Sequence, residues 1–581
     1  MMDTVKLNIN GIEVEAPQNA TILEAAQSVG IRIPTLCYLK DINAIGACRM
    51  CVVEVKGARA LATACVHPVA EGMEVLTNTP ALRNARKTTL ELILSNHRMD
   101  CLSCARSQSC ELQTLSLEYG VDQKRFESNE EMFPDIDDSA PHLVRDNSKC
   151  ILCRRCVAVC KHNQHVAVIG CNDRGYETHI SSTFDLPLND TSCVYCGQCI
   201  SVCPTGALVE RDDTYKVWDA LKDETKHVVV APAPSVRAQL GECFGMPIGT
   251  NVEGKLAASL RRLGFDKVFD VDFAADVTIL EEGTELLGRL KNNGPLPMIT
   301  SCSPGWIKFC EHYYPEFIPN LSSCKSPQQM YGALIKTYYA EKNGIDPKDI
   351  FVVSVMPCTA KKFEVSRDHQ NASGYADVDV SITTRELAAM IKTAGIVFEE
   401  LKNEEFDKPL GIASGAGHIF GATGGVMEAA LRTVAEVVTG EELKSVDFKD
   451  VRGIEGIKEA EYDLAGTKVK VAVTSGLENA SKLLDMIKEG KAEYHFIEVM
   501  ACPGGCVNGG GQPIQPGYVH NTVDLRAERA KALYSEDDSM QLRKSHENPA
   551  VKELYDTYLD APNSHKAHEI LHTSYTARKV Y

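Results

Sequence analysis

Apolar and polar residues alternate along "VKLNI" from Val5 and again along "IEV" from Ile12, on either side of Asn10-Gly11. Two strands of period two around that dipeptide predict a β-hairpin. The period then changes: "NATILEAAQSVG" repeats its apolar residues at helical spacing, with Thr21 or Asn19 placed to cap and Gly30 to stop. Hairpin then helix marks a small, mostly β unit over residues 1–80. A second helical stretch precedes "NHRMDCLSCARSQSC". A third carries Glu281, Glu282 and Glu285, and on pattern alone a solvated acidic face and a functional role are equal readings of them. No apolar run approaches the roughly 20 residues of a membrane span.

The 581 residues allow roughly four domains. The net charge of -18 disfavours nucleic acid, which needs a basic surface. The 23 cysteines follow no apolar, small-residue leader, which implies a reducing cytoplasm and metal-bound thiols rather than disulfides.

Spacing sorts the cysteines. Cys37, Cys48, Cys51 and Cys65 follow C-x10-C-x2-C-x13-C, close to a plant-type [2Fe-2S] loop on a β-grasp ferredoxin, with Gly46 and Ala47 letting backbone amides approach sulfur. A structural zinc site is the competing reading. His97, Cys101, Cys104 and Cys110 then suit a [4Fe-4S] cluster in which imidazole replaces the missing thiolate, over residues 81–125. "CILCRRCVAVC" and "CVYCGQCISVCP" both read C-x2-C-x2-C-x3-C, the mark of a two-cluster ferredoxin over residues 138–212. There the fourth cysteine crosses over, which groups Cys150, Cys153, Cys156 and Cys203, and separately Cys193, Cys196, Cys199 and Cys160. Lys161 stands where a proline often follows such a run.

Eight cysteines remain. Cys171, Cys243, Cys310 and Cys324 read as plain buried thiols. The others lie in "TSCSPGW", "MPCTAKKFE" and "MACPGGCVNGGGQP". Together these three stretches resemble the signatures of [FeFe]-hydrogenase, modular clostridial type. The likeness continues through "APAPSVRAQLGE", "TILEEGTELLGRL", "SSCKSPQQM", "GATGGVMEAALR" and "KSHENPAV". It implies an α+β multidomain fold: the β-grasp unit, the His/Cys3 segment, the two-cluster ferredoxin, and a large α/β domain over residues 213–581.

The resemblance also implies the cofactors: one [2Fe-2S], three accessory [4Fe-4S] and an H-cluster, a cubane bridged to a diiron unit with carbonyl, cyanide and dithiolate ligands. Cys358, Cys502 and Cys506 would hold the cubane, and glycines 504, 505, 509, 510 and 511 would keep side chains off the cofactor. Lys361 matches a donor to cyanide. Met356, Met500, Pro234 and Phe420 would wall the diiron. H2 would split heterolytically, with protons leaving through Cys302, Glu282, Ser322 and Glu285 to Arg289 near the mouth. The family normally has two adjacent cysteines in the first signature, relay then ligand, and here Ser303 stands at the ligand's place. In the unshifted register Cys302 is the relay and Ser303 faces the fourth iron. A one-residue slide would reverse them.

No G-x-G-x-x-G follows a strand, so flavin and nicotinamide are expected on other subunits. The electron partner is either soluble ferredoxin or NAD(P)-linked flavin subunits, and maturation factors must install the diiron. Two rival readings stand beside this one. One is a non-catalytic iron-sulfur subunit of a respiratory or formate-oxidising complex, which leaves "MACPGGCVNGGGQP" unexplained. The other is a hydrogen-sensing or cluster-assembly relative.

Overall fold

The computed structural model describes residues 3–121, 125–126, 136–443, 445–453, 456–464 and 467–580. Parts of the expected 1–80, 81–125 and 213–581 units therefore lie outside the described residues.

Strands β1 (Thr4–Ile9) and β2 (Ile12–Pro17) pair antiparallel with Ile9 opposite Ile12. Asn10 and Gly11 take φ of 53° and 89°, the two left-handed conformations of a type I′ turn. Helix Ile22–Ser28 starts at Thr21, whose side chain accepts from the Glu24 amide while Glu24 reaches back to the Thr21 amide, a reciprocal capping box. Strands β3 (Val52–Val55), β4 (Ala62–Thr63) and β5 (Glu74–Leu76) complete a five-stranded sheet of order β2-β1-β5-β3-β4. Leu7, Ile9, Ile22, Leu23 and Val53 fill its core. Helix Pro80–Ser95 then delivers the chain to His97.

The next unit holds β6 (Leu143–Arg145), β7 (Ile169–Asn172), β8 (His179–Ser182) and β9 (Leu208–Glu210), with β6 antiparallel to β9 and β7 to β8. Cys171 departs from expectation. It is exposed, two residues along β7 from the buried Ile169, where the same strand face runs out into solvent. Cys243 is half-buried, whereas Cys310 and Cys324 are buried as expected.

The C-terminal domain has two sheets. Strands β10 (His227–Pro232), β11 (Lys267–Val268), β12 (Met298–Ile299), β13 (Ile350–Met356), β14 (Val380–Thr383), β15 (Ile457–Leu464), β16 (Thr467–Ser475) and β17 (Phe496–Met500) divide between them. The first sheet, β11-β10-β13-β14, is wholly parallel. The second, β12-β17-β16-β15, is parallel apart from its β15–β16 edge. "HVVVAP" and "IFVVSVM" are near-continuous apolar runs because both faces of a parallel strand are covered. The 22-residue helix Val271–Asn292 packs against helices Pro327–Leu334 and Gly425–Thr439. Among the described residues no helix is long and apolar enough to cross a membrane.

Candidate metal centres and proton relay

Parallel strands open a crevice beyond their carboxyl ends. Here β10 runs into Pro234, β12 into Cys302 and Ser303, β13 into Cys358, and β17 into Cys502 and Cys506. All four loops line one apolar cavity with Met356, Lys361, Phe420 and Met500. The three sequence signatures, 200 residues apart at their extremes, thus meet because each follows a parallel strand.

Burial pushes the Cys502 thiol up, and the adjoining Cys358, Cys196 and Cys506 thiols add to it. Thiols crowded this way resist becoming thiolates without a cation, which fits a metal cluster. Burial likewise raises Cys302, but there the next causes are the Glu282 carboxylate and the Cys506 thiol. Ser303 Oγ instead accepts from the Ala501 amide at 3.2 Å, one residue from Cys502. Lys361, only 8% exposed, donates to Ser326 Oγ (2.8 Å), Glu364 Oε2 (2.8 Å) and the Cys302 carbonyl (3.2 Å).

The acidic helix is not a solvated face. Glu281 and Glu282 are fully buried inside helix Val271–Asn292: Tyr555, Asn563 and His572 of the C-terminal segment meet Glu281, and Glu282 faces Ser301, Cys302 and Ser322. Burial, then the Glu285 carboxylate, pushes Glu282 up to about 8, and neither of its oxygens has a hydrogen-bond partner among the described residues. Ser322 Oγ donates to Glu285 Oε2 at 2.8 Å. Arg289 donates to Glu285 Oε1 at 2.7 Å and to the Leu321 carbonyl at 2.7 Å. Ser322, Glu285 and Arg289 are thus joined by hydrogen bonds, and Glu282 lies near both Glu285 and Cys302.

The accessory groups also assemble. One enclosed pocket is lined by Cys150, Cys153, Cys156 and Cys203, and another by Cys160, Cys193, Cys196 and Cys199, which is the crossed pairing. Cys37 lies against Cys48 and Cys65, with the Ala47 and Cys48 amides directed to its sulfur, and Cys51 Sγ is 3.3 Å from Cys65 Sγ. His97 Nδ1 is buried with no partner among the described residues. Burial, then Lys149, lowers that imidazole to about 4. A neutral ring with an orphaned nitrogen suits a metal ligand.

Glycines 504, 505, 509, 510 and 511 are also demanded by protein packing, and Gly505 and Gly509 line the cavity. A Cβ on Gly509 would meet the Pro357 carbonyl at 2.2 Å, one on Gly510 the Cys196 carbonyl at 2.4 Å, and one on Gly505 the Thr423 amide at 2.6 Å. On Gly504 and Gly511 it would meet Arg526 and Thr383. Bare backbone is required so that neighbouring loops can pack, with the cavity as the result. This brings the Cys193–Cys199 loop against the Cys506–Gln512 loop. Thr359 Oγ1 donates to the Tyr195 carbonyl (2.8 Å) and Gln198 Nε2 to the Asn508 carbonyl (2.7 Å). Arg385 pairs with both Glu210 oxygens at 2.8 Å while donating to the Gly510 and Gln512 carbonyls. Sequence reasoning missed Glu210, Arg385, Gln198 and Thr359, whose partners are too remote for any local pattern.

Known proteins give the same outline. A family model described as iron only hydrogenase large subunit, C-terminal domain, matches residues 226–510, and one described as iron hydrogenase small subunit matches 523–578. Toward the N-terminus a 2Fe-2S iron-sulfur cluster binding domain matches 2–80, an NADH-ubiquinone oxidoreductase-G iron-sulfur binding region 86–125, and a 4Fe-4S dicluster domain 149–207. The chain is 49% identical over 589 residues to the NADP-reducing hydrogenase subunit HndD of Solidesulfovibrio fructosivorans, with 100% of each chain covered. It is 46% identical over 569 residues to iron hydrogenase 1 of Clostridium pasteurianum, covering 98% of this chain and 99% of that one. A solved variant of [FeFe]-hydrogenase HydA1 from Chlamydomonas reinhardtii superposes with a TM-score of 0.56 at 45% identity, over 62% of this chain and 99% of that one.

Proposed function

The chain belongs to the iron-only hydrogenase family, and from that premise we propose a role for each group its fold brings together. It oxidises H2 to protons and electrons at an H-cluster and passes the electrons along an iron-sulfur relay. When bound, the H-cluster supplies heterolytic cleavage of H2 and accepts the electrons. Cys358, Cys502 and Cys506 would hold its cubane, with Ser303 at the fourth corner. Pro234, Met356, Phe420 and Met500 exclude water from the diiron side of the cavity, and Lys361 presents its ammonium there, steadied by Glu364.

Cys302 exchanges a proton with Glu282, and Ser322 and Glu285 carry it on toward Arg289. The observation that supports this register is the divided surroundings of the two neighbours: Cys302 sits between Glu282 and Cys506, whereas Ser303 is tied to the backbone beside Cys502. Glu282 held near 8 is poised to bind and release protons around neutral pH.

Electrons would leave by the cluster of Cys160, Cys193, Cys196 and Cys199, whose Cys196 borders the cavity, then by those of Cys150, Cys153, Cys156 and Cys203, of His97, Cys101, Cys104 and Cys110, and of Cys37, Cys48, Cys51 and Cys65. This makes one [2Fe-2S] and three accessory [4Fe-4S] clusters, divided among units at 1–80, 81–125 and 138–212, with the catalytic domain at 213–581. Full-length likeness to an NADP-reducing hydrogenase subunit supports a cytoplasmic complex in which partner subunits carry flavin and nicotinamide. Anaerobically purified protein is expected to hold iron and labile sulfide for these four clusters before any diiron is installed, and to migrate with a flavin-containing partner on native gels. Zinc-filled, sulfide-free protein would overturn the cluster assignment, and exchange with soluble ferredoxin alone would overturn the partner.

A further inference from the structure

At the outer end of the relay, away from the cavity, three metal-binding side chains converge from distant parts of the chain. Backbone pairing brings two together. Cys324 and His572 are antiparallel bridge partners, with Lys325 N donating to the Leu571 carbonyl (2.8 Å) and Thr573 N to the Ser323 carbonyl (2.7 Å). Residues directly opposite in such a pair project to the same side. The third is Glu285, whose Oε2 lies 3.8 Å from Cys324 Sγ. One ligand atom from each of Glu285, Cys324 and His572 lies within 4.8 Å of the other two.

Thiolate, imidazole and carboxylate form a donor set for a borderline divalent cation, zinc above all. Sulfur and oxygen on a tetrahedral zinc stand about 3.5 Å apart, so the observed sulfur–oxygen spacing needs little adjustment. His572 is already oriented, with Nε2 facing Glu281 Oε2 at 3.2 Å and Nδ1 against Ser323 Oγ at 2.8 Å, so that Nδ1 is the ligating nitrogen and the metal takes the place of the Ser323 hydroxyl there. A carboxylate behind a ligating imidazole raises its basicity and holds the ring. Glu281 is in turn fixed by the Tyr555 hydroxyl (2.6 Å) and the Asn563 amide (2.8 Å). The opposing charge is Arg289, which engages the other oxygen of Glu285. The exposed His568 ring lies 3.9 Å from that of His572, tilted against it.

We propose that Glu285, Cys324 and His572 form a binding site for a divalent transition-metal ion such as zinc, and that an ion seated there stops proton transfer through Glu285. The ion displaces the Ser322 hydroxyl from Glu285 Oε2 and removes the lone pair that receives the proton. Binding follows from the donor geometry alone. The inhibition rests on the relay described above.

Matured holoenzyme titrated with Zn2+ is expected to lose H2 oxidation reversibly, with recovery on chelation. Cys324→Ser and His572→Asn should each keep basal activity and raise the half-inhibiting zinc concentration by about 10- to 100-fold. X-ray absorption at the zinc edge should show one sulfur among nitrogen and oxygen neighbours. Zinc held by that donor set without loss of turnover would support the site and count against the relay role of Glu285. Equal inhibition of the wild type and both variants, an all-sulfur zinc environment, or no bound zinc would overturn the site.

Discussion

Replacing Glu210 by Gln tests how the accessory clusters are fastened to the catalytic loops. Arg385 lies almost wholly inside the protein, with both oxygens of Glu210 against its guanidinium and two carbonyls of the Cys506–Gln512 loop as its other partners. Burial raises the Glu210 carboxyl, but Arg385 overrides it and holds that group at about 2, below the ordinary 4.5. A carboxyl lowered that far contributes about 3 kcal/mol at neutral pH. An independent route gives a similar figure, since orphaning one member of a buried pair costs about 3–5 kcal/mol. Because the folded value is depressed, the contribution is complete above pH about 4.5 and is lost only as pH falls toward 2. The cost of Glu210→Gln should therefore be the same at about pH 6 and about pH 8. The assay is denaturant unfolding of anaerobic protein followed by cluster absorbance, together with H2/D+ exchange and viologen-linked turnover. Turnover should fall more than exchange, because the pair holds the cluster-to-cluster contact. Adding Arg385→Met should recover part of the lost stability. A cost below about 1 kcal/mol, the range of a surface pair, or a double variant worse than the single one, would refute the clamp.

Cys302→Ala should retain H-cluster iron and its carbonyl infrared bands yet lose about 10²- to 10⁴-fold in turnover, whereas Ser303→Cys stays active; loss of the cubane in Cys302→Ala would show the register to be shifted by one. His97→Ala should remove or convert one accessory cluster, seen by electron paramagnetic resonance, and slow transfer to external carriers while H2/D+ exchange persists. Gly510→Ala places a methyl 2.4 Å from the Cys196 carbonyl and should cost about 1–3 kcal/mol, with slower electron delivery and unchanged exchange.

Local chemistry was the legible part. The Asn10-Gly11 turn, the Thr21 cap and the cysteine spacings are set by neighbours within a few residues, and the crossed cysteine sets appeared where the repeat placed them. Burial of Glu281 and Glu282 was not legible, because helical period identifies a face without saying what covers it. The packing role of the glycines after Cys502 was hidden for a related reason: their neighbours are Pro357, Cys196 and Thr423, residues from other loops. The Arg385–Glu210 pair spans 175 positions and the Ser323–His572 contact 249, so only the folded chain brings them together. Cys171 was misplaced because a cysteine's type says nothing of how far along a strand the covering layer extends, and Cys171 lies beyond it while Ile169 on the same face is buried.

The central claim is that the loops after β12, β13 and β17 hold a working H-cluster served by Cys302. It is tested most directly by producing the protein with its maturation factors and measuring H2 evolution from reduced viologen on the sample whose infrared spectrum is recorded. The account predicts carbonyl and cyanide bands together with turnover, both absent when the maturation factors are omitted. Protein that shows those bands and the full accessory iron but evolves no H2 would contradict it.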